Sequence, residues 1–177
     1  MGQVVQAKGG AVAVKVDETP SQYLTFSLGG EMFAVGILNV KEIIEYGHLT
    51  EIPMMPTFIR GVINLRGSVV PVVDPHLKFG LAQTEKTVNT CIIIVEIQME
   101  GEITVLGALA DSVQEVVELE PEQIEPAPKI GTKLNTEFIK GMGKREEQFI
   151  ILLDIDKVFS SDELSLVQRS EAHAQDN

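Results

Sequence analysis

Tryptophan is absent from this sequence of 177 residues, and the remaining aromatics reach only 5%. Single-stranded bases and sugar rings would find little to stack on. Positive charge is scarce too: 14 Lys and Arg stand against 26 Asp and Glu, a formal net charge of −12. Nucleic acids and anionic membrane surfaces select basic patches, so both are poor partners for this chain. The single cysteine, Cys91, excludes an internal disulfide, and within the apolar run Cys91-Ile92-Ile93-Ile94-Val95 it reads as a buried structural thiol. No apolar run approaches the roughly 20 residues of a membrane-spanning helix. Met1 to Gly10 has no secretory core either. A cytoplasmic location is expected.

Motifs that carry chemistry are also missing. His48, His76 and His173 fall in a loop, a turn and the tail, and no H-x-x-x-H, C-x-x-C or H-E-x-x-H spacing would hold a transition metal. There is no phosphate-cradling glycine loop and no G-x-S-x-G elbow. No cofactor is expected, and these absences together lower the expectation of catalysis. The one enzyme-like feature is a pair of carboxylates, Asp74 and Asp154, at matching places in a repeat. Each ends a strand before a turn, where Asp commonly bonds its own backbone, and paired acid and base work is the competing reading.

The repeat itself is what the chain does have. Residues 58–79 and 138–159 align without a gap, eighty positions apart, sharing Phe58/Phe138, Ile59/Ile139, Gly61/Gly141, Asp74/Asp154 and Phe79/Phe159. A fixed-offset repeat is one supersecondary unit used twice. The copies part company at Asn64-Leu65-Arg66-Gly67, which becomes Lys144-Arg145-Glu146-Glu147. A shared scaffold with unlike tips suggests that one tip has a task.

Around the repeat the pattern is that of short strands. Tyr23 to Leu28 and Met32 to Ile37 flank Gly29-Gly30, the signature of a β-hairpin. Val40 to Glu45 is ambiguous by period, but its counterpart Val113 to Glu118 is valine-rich and leans to strand. Pro53 and Pro56 punctuate a loop, Thr57 to Arg60 suggests one helical turn, and Gly67 separates strands 61–66 and 68–74. Pro71 places the second of these at a sheet edge or on a bulge. The second copy runs through Cys91 to Gln98, Ile103 to Ala110 and the Val113 strand, then a loop with Pro121, Pro126 and Pro128, then Phe138 to Gly141 and Phe149 to Ile155. Ser160 to Glu163 offers a cap for a terminal helix from Leu164 to about Ser170. The expected divisions are a mobile lead-in at 1–20, a first barrel at 21–80, a second at 81–160 and a helix and tail at 161–177. The fold class is mainly all-β, two small bent antiparallel barrels in tandem with short helical turns and a crevice between them.

Arg66 has a plausible partner in Glu42. The pair is either a surface ion pair of about 0 to 1 kcal/mol or a device holding the hairpin in a shape a partner recognises, and the residues leave both open.

At Thr57 to Gly80, T-F-I-R-G-V-I-N-L-R-G-S-V-V-P-V-V-D-P-H-L-K-F-G, the chain closely resembles the CheW family of bacterial chemotaxis coupling proteins. I-L-N-V-K-E-I-I-E at 37–45, Pro53 to Pro56, E-Q-I-E-P-A-P at 122–128 and F-I-K-G-M-G at 138–143 fit the same pattern, so the resemblance covers about 22–160. Asp74-Pro75-His76 departs from it, as the family commonly has Asp-Leu followed by a basic residue. The run Leu106 to Asp111 is a second departure, since a more branched apolar run is usual there. The resemblance implies two SH3-like five-stranded barrels and no catalysis. It implies an adaptor bridging the cytoplasmic hairpin tip of chemoreceptors to the regulatory domain of the histidine kinase CheA, or a coupling protein of another chemosensory pathway such as surface motility. Receptor contacts would fall on Val40, Glu42, Ile43 and Arg66, and kinase contacts on Ile59, Gly61 and Asn64. Met54 and Met55 beside them are either adaptable contacts or core fillers.

Overall fold

The computed structural model describes residues 21–99, 101–126 and 138–158. The expected lead-in at 1–20, Pro128, Phe159, the terminal helix and His173 lie outside the described residues. Strands β1 (Ser21–Leu28) and β2 (Glu31–Gly36) form the expected hairpin. Gly29 and Gly30 take φ of 59° and 87°, the left-handed pair that a tight turn matching the strand twist requires. A 3-10 turn at Ile37–Asn39 leads into β3 (Val40–Glu45), which settles that segment as strand.

The helical turn expected at Thr57 to Arg60 does not form. Thr57 and Phe58 make a plain turn, and β4 (Ile59–Leu65) already includes Ile59 and Arg60. Ile59 pairs with Val73 and Gly61 with Val72, leaving Arg60 on a bulge. Strand β5 (Ser68–Val73) is followed by α1 (Pro75–Lys78), whose N-cap Asp74 accepts a hydrogen bond from His76 N. The second copy supplies β6 (Cys91–Met99), β7 (Glu102–Ala110), β8 (Ser112–Leu119), a 3-10 turn at Pro121–Gln123, β9 (Ile124–Glu125), β10 (Ile139–Arg145), β11 (Gln148–Leu153) and α2 (Ile155–Val158).

These strands curl into two sheets of the SH3-like barrel kind, mainly β as expected, but the sheets do not follow the division at residues 80 and 81. One runs β8-β1-β2-β11-β10-β9 and the other β3-β6-β7-β5-β4. The hairpin β1–β2 of the first copy therefore completes the sheet of the second copy, and β6–β7 of the second completes that of the first. The exchange is symmetric down to the register. Val72 and Val73 of β5 pair in parallel with Gly107 and Ala108 of β7, and Ile151 and Leu152 of β11 pair in parallel with Phe33 and Ala34 of β2. Pro71 is accordingly not on an edge strand: β5 lies between β7 and β4, with the parallel pairing confined to the two residues after the proline.

The repeat is visible in the backbone as well. Asp74 N donates to Phe58 O at 2.7 Å and Asp154 N to Phe138 O at 2.9 Å. The bulge at Arg60 recurs at Lys140, and the left-handed tip at Arg66 (φ 53°) recurs at Glu146 (φ 59°).

Each sheet wraps its own apolar cluster, around Leu119, Ile150 and Leu152 in one and Val72, Ile92, Ile94 and Leu109 in the other. The largest cluster lies between them. Phe26, Phe33, Phe79 and Phe138 follow one another there at centroid spacings of 6.2, 5.8 and 6.1 Å, offset aromatic contacts of the favoured kind. The Lys78 ammonium sits 5.2 Å from the Phe58 ring and 5.7 Å from the Phe138 ring, bridging the two matching phenylalanines. The middle of the expected crevice is thus packed solid, because each exchanged hairpin turns apolar residues toward both barrels.

Candidate interaction surface

The β4–β5 turn is built to hold Arg66. Asn64 Oδ1 accepts from Gly67 N at 2.8 Å, which closes the turn and lets Arg66 adopt its left-handed backbone. From there the guanidinium makes a two-pronged contact with Glu42 on β3, at 2.5 and 2.9 Å. The hydrogen bond from Arg66 holds the Glu42 carboxyl below its ordinary value, with desolvation opposing it and the charges of Arg66 and Lys41 adding to it. Glu42 in turn holds Arg66 above its own. A planar fork on a carboxylate fixes orientation as well as distance. Beside the pair lies an open hollow of about 390 Å³, lined among others by Leu65, Val69, Ile103 and Val105. Ile103, which the sequence did not single out, stands out at 62% exposed.

The four residues expected to contact a receptor do not form one patch. Val40 pairs with Val95 and Glu42 with Ile94, so a bulge separates them. Val40 packs against the core between the sheets. Ile43, 42% exposed, pairs with Ile93 of that same core. Glu42 shares its face with Ile44, which packs inside the five-stranded sheet. Glu42 and Arg66 therefore open on one side of β3, and Val40 and Ile43 on the other.

Of the three residues expected to contact a kinase, Ile59 and Gly61 are buried. Gly61 has φ 151°, and a Cβ there would lie 2.6 Å from Thr50 O; its role is to let the preceding loop pass. Asn64 alone is exposed, in the same turn as Arg66. The adjacent methionines split: Met55 packs against the core between the sheets and Met54 is fully exposed.

The second tip also carries an ion pair. Arg145 Nη1 lies 3.0 Å from Glu115 Oε2, and Glu115 holds the place in β8 that Glu42 holds in β3. The comparison of Arg66 with Glu146 hid this, because the arginine that serves the second copy is one position earlier. The match of Glu115 to Glu42 was the signal. Difference between the tips is therefore smaller than their sequences suggest.

Asp74 and Asp154 do not face a common pocket. Asp74 is wholly buried and accepts from Arg60, His76 N, Thr84 N and Thr84 Oγ1. Asp154 is partly exposed beside Lys157 at 3.8 Å. The acid and base reading loses its geometry. Among the described residues no cluster of three or more His, Cys, Asp or Glu could hold a metal ion. His48 is exposed, and His76 is buried with Nδ1 3.1 Å from Ala82 O and Nε2 beside Asp111. Cys91 is half-buried, not buried, its sulfur 3.3 Å from Asn89 O, because it opens β6 at the sheet margin.

Two curled β-sheets with an ion-paired tip make this a module of small β-barrels. Residues 22–163 match the CheW-like domain, and the chain belongs to that family. It is 40% identical over 146 residues to "Chemotaxis protein CheW" of Klebsiella aerogenes, covering 82% of this chain and 86% of the relative. It is 33% identical over 142 residues to the protein of the same name in Rhizobium meliloti, covering 80% and 89%. The crystal structure of the scaffolding protein TtCheW from Thermoanaerobacter tengcongensis superposes with a TM-score of 0.72 at 34% identity, covering 82% of this chain and 91% of that one. Among the described residues no helix is long and apolar enough to cross a membrane.

Proposed function

We propose that this chain is a non-enzymatic adaptor that couples chemoreceptors to the histidine kinase CheA, joining the receptor's cytoplasmic hairpin tip to the kinase regulatory domain. It works in the cytoplasm and meets the membrane receptor array only through these partners. The observation that carries the reading is the Arg66–Glu42 fork on the β4–β5 turn of a CheW-like domain, next to an open, partly apolar hollow. A fork of this kind presents a fixed shape at the cost of ordering an exposed arginine and a half-buried glutamate, which is of little use to folding and of direct use to a partner.

Reconstitution with the kinase and a receptor fragment in membranes tests it. Kinase activity should rise when the chain is added, and Arg66→Glu should lower co-sedimentation with receptor and kinase while leaving folding largely intact. Unchanged co-sedimentation of the variant would remove Arg66 from the interface. No activation by the unaltered chain would shift the assignment to a sibling pathway such as surface motility.

A further inference from the structure

Met54 combines two features that rarely coexist. Of the methionines whose side chains are described, Met32, Met55 and Met142 are half-buried, while Met54 is 102% exposed. Its φ is 64°, a left-handed conformation that L side chains disfavour. The loop that carries it is nonetheless anchored on both sides. Thr50 and Val62 exchange two backbone hydrogen bonds, at 2.9 and 2.8 Å, and Ile59 N donates to Pro56 O at 3.0 Å. Met55 is packed against the core between the sheets, and prolines at 53 and 56 stiffen the chain on either side. The Met54 thioether is thus held out in solvent by a fixed support. Backbone strain that the surroundings hold in place is a reason to look for function.

We propose that Met54 is a modification site, the thioether among the described methionines that a peroxide oxidises first, and that its conversion to the sulfoxide weakens coupling. The consequence rests on the adaptor reading above; the site does not. In the step, the sulfur lone pair attacks one oxygen of hydrogen peroxide, the S–O bond forms and the O–O bond breaks. The departing hydroxide takes the proton from the new S–OH and leaves as water. Sulfur is oxidised by two electrons and the peroxide is reduced. Selectivity follows exposure, and a thiol-dependent reductase can reverse the product. The sulfoxide is polar and chiral where the thioether was apolar and flexible. The change falls on the loop that joins β3, which carries Glu42, to β4, which carries Asn64.

Graded hydrogen peroxide followed by peptide mapping reads the site. Met54 should gain one oxygen several-fold faster than Met32, Met55 and Met142, and equal rates would overturn the assignment. Kinase activation in the reconstituted complex reads the consequence. The untreated chain should activate, and its failure to do so would overturn the adaptor reading and the uncoupling with it, while mapping still decides the site. Oxidised chain should activate less, Met54→Leu should keep its activation after the same treatment, and Met54→Gln should be weak without any peroxide. Full activation by chain oxidised at Met54, or equal loss in Met54→Leu, would overturn the uncoupling.

Discussion

Replacing Asp74 by alanine should cost this protein a large part of its stability. The carboxylate is wholly buried and receives four hydrogen bonds, from Arg60 Nη1 at 2.9 Å, His76 N at 3.1 Å, Thr84 N at 3.0 Å and Thr84 Oγ1 at 2.6 Å. Alanine would leave a guanidinium that is 16% exposed without its counter-charge, and three donors without their acceptor. Arg60 would retain only Thr84 O and Tyr46 Oη. Breaking a buried pair from one side costs about 3 to 5 kcal/mol, a large share of the roughly 5 to 15 kcal/mol that holds a domain together. At this chain length the thermal midpoint should fall by about 10 °C. Urea unfolding should show a lower midpoint at an unchanged slope. Asp154→Ala is the internal control, since it removes the same residue of the same repeat where the side chain is 30% exposed and its nearest cation is 3.8 Å away. Its cost should be about 0 to 1 kcal/mol. Equal shifts in the two variants, or an Asp74→Ala shift below about 1 kcal/mol, would refute a structural role set by burial.

The Glu42–Arg66 pair has a defined pH signature. A carboxyl lowered on folding stabilises fully above its unfolded pKa and loses that contribution as pH falls through the folded one. The difference between the unaltered chain and Glu42→Gln should therefore be flat near neutrality and vanish in acid, and a difference that grows toward acid would contradict the pairing. Gly61→Ala should destabilise by roughly 1 to 3 kcal/mol, because the new Cβ would meet Thr50 O at 2.6 Å; an unchanged urea midpoint would count against it. A fragment of residues 21–80 should show no cooperative melt alone, since β1 and β2 find their partners in β8 and β11. A sharp transition in circular dichroism for that fragment would refute the exchange.

The local pattern of this chain was readable because period, turn chemistry and repeat agreed. Gly29-Gly30 between two aromatic and branched runs names its own turn, and the gapless match of 58–79 to 138–159 reports a unit whose bulge, tip and Asp backbone bond all recur. Partner choice was not readable. A strand's pattern records which face is apolar and not which sheet accepts it, so the pairing of β2 with β11 across the chain left no local trace. Pro71 misled for the same reason, because a proline is tolerated inside a sheet where the adjoining ladder has not yet begun. At the site, Arg66 and Glu42 were legible as opposite charges on matching elements. Arg145 was not, because an alignment compares positions while a long side chain reaches its partner from one position away. Ile59 and Gly61 belong to the stretch that carries the resemblance, yet both are buried, Ile59 in the core between the sheets and Gly61 against Thr50 O.

Hairpin exchange also bears on how such a module could serve as a scaffold. If the barrels were independent beads on a linker, the angle between their tips would vary freely, and two partners held by different barrels would lose their register. Here separating the two sequence copies requires breaking the ladders of β1 with β8, β2 with β11, β6 with β3 and β7 with β5, and the two sheets are tied by the short crossings from β2 to β3 and from β7 to β8 and by the phenylalanine series in the core they share. None of these can yield singly, since each hairpin is covalently part of one copy and hydrogen-bonded into the other. The tips at Arg66 and Glu146 are therefore fixed relative to one another by the same contacts that fold the protein. Substitutions in the core between the sheets, such as Phe33→Leu, should loosen coupling in step with stability, whereas Arg66→Glu should separate the two.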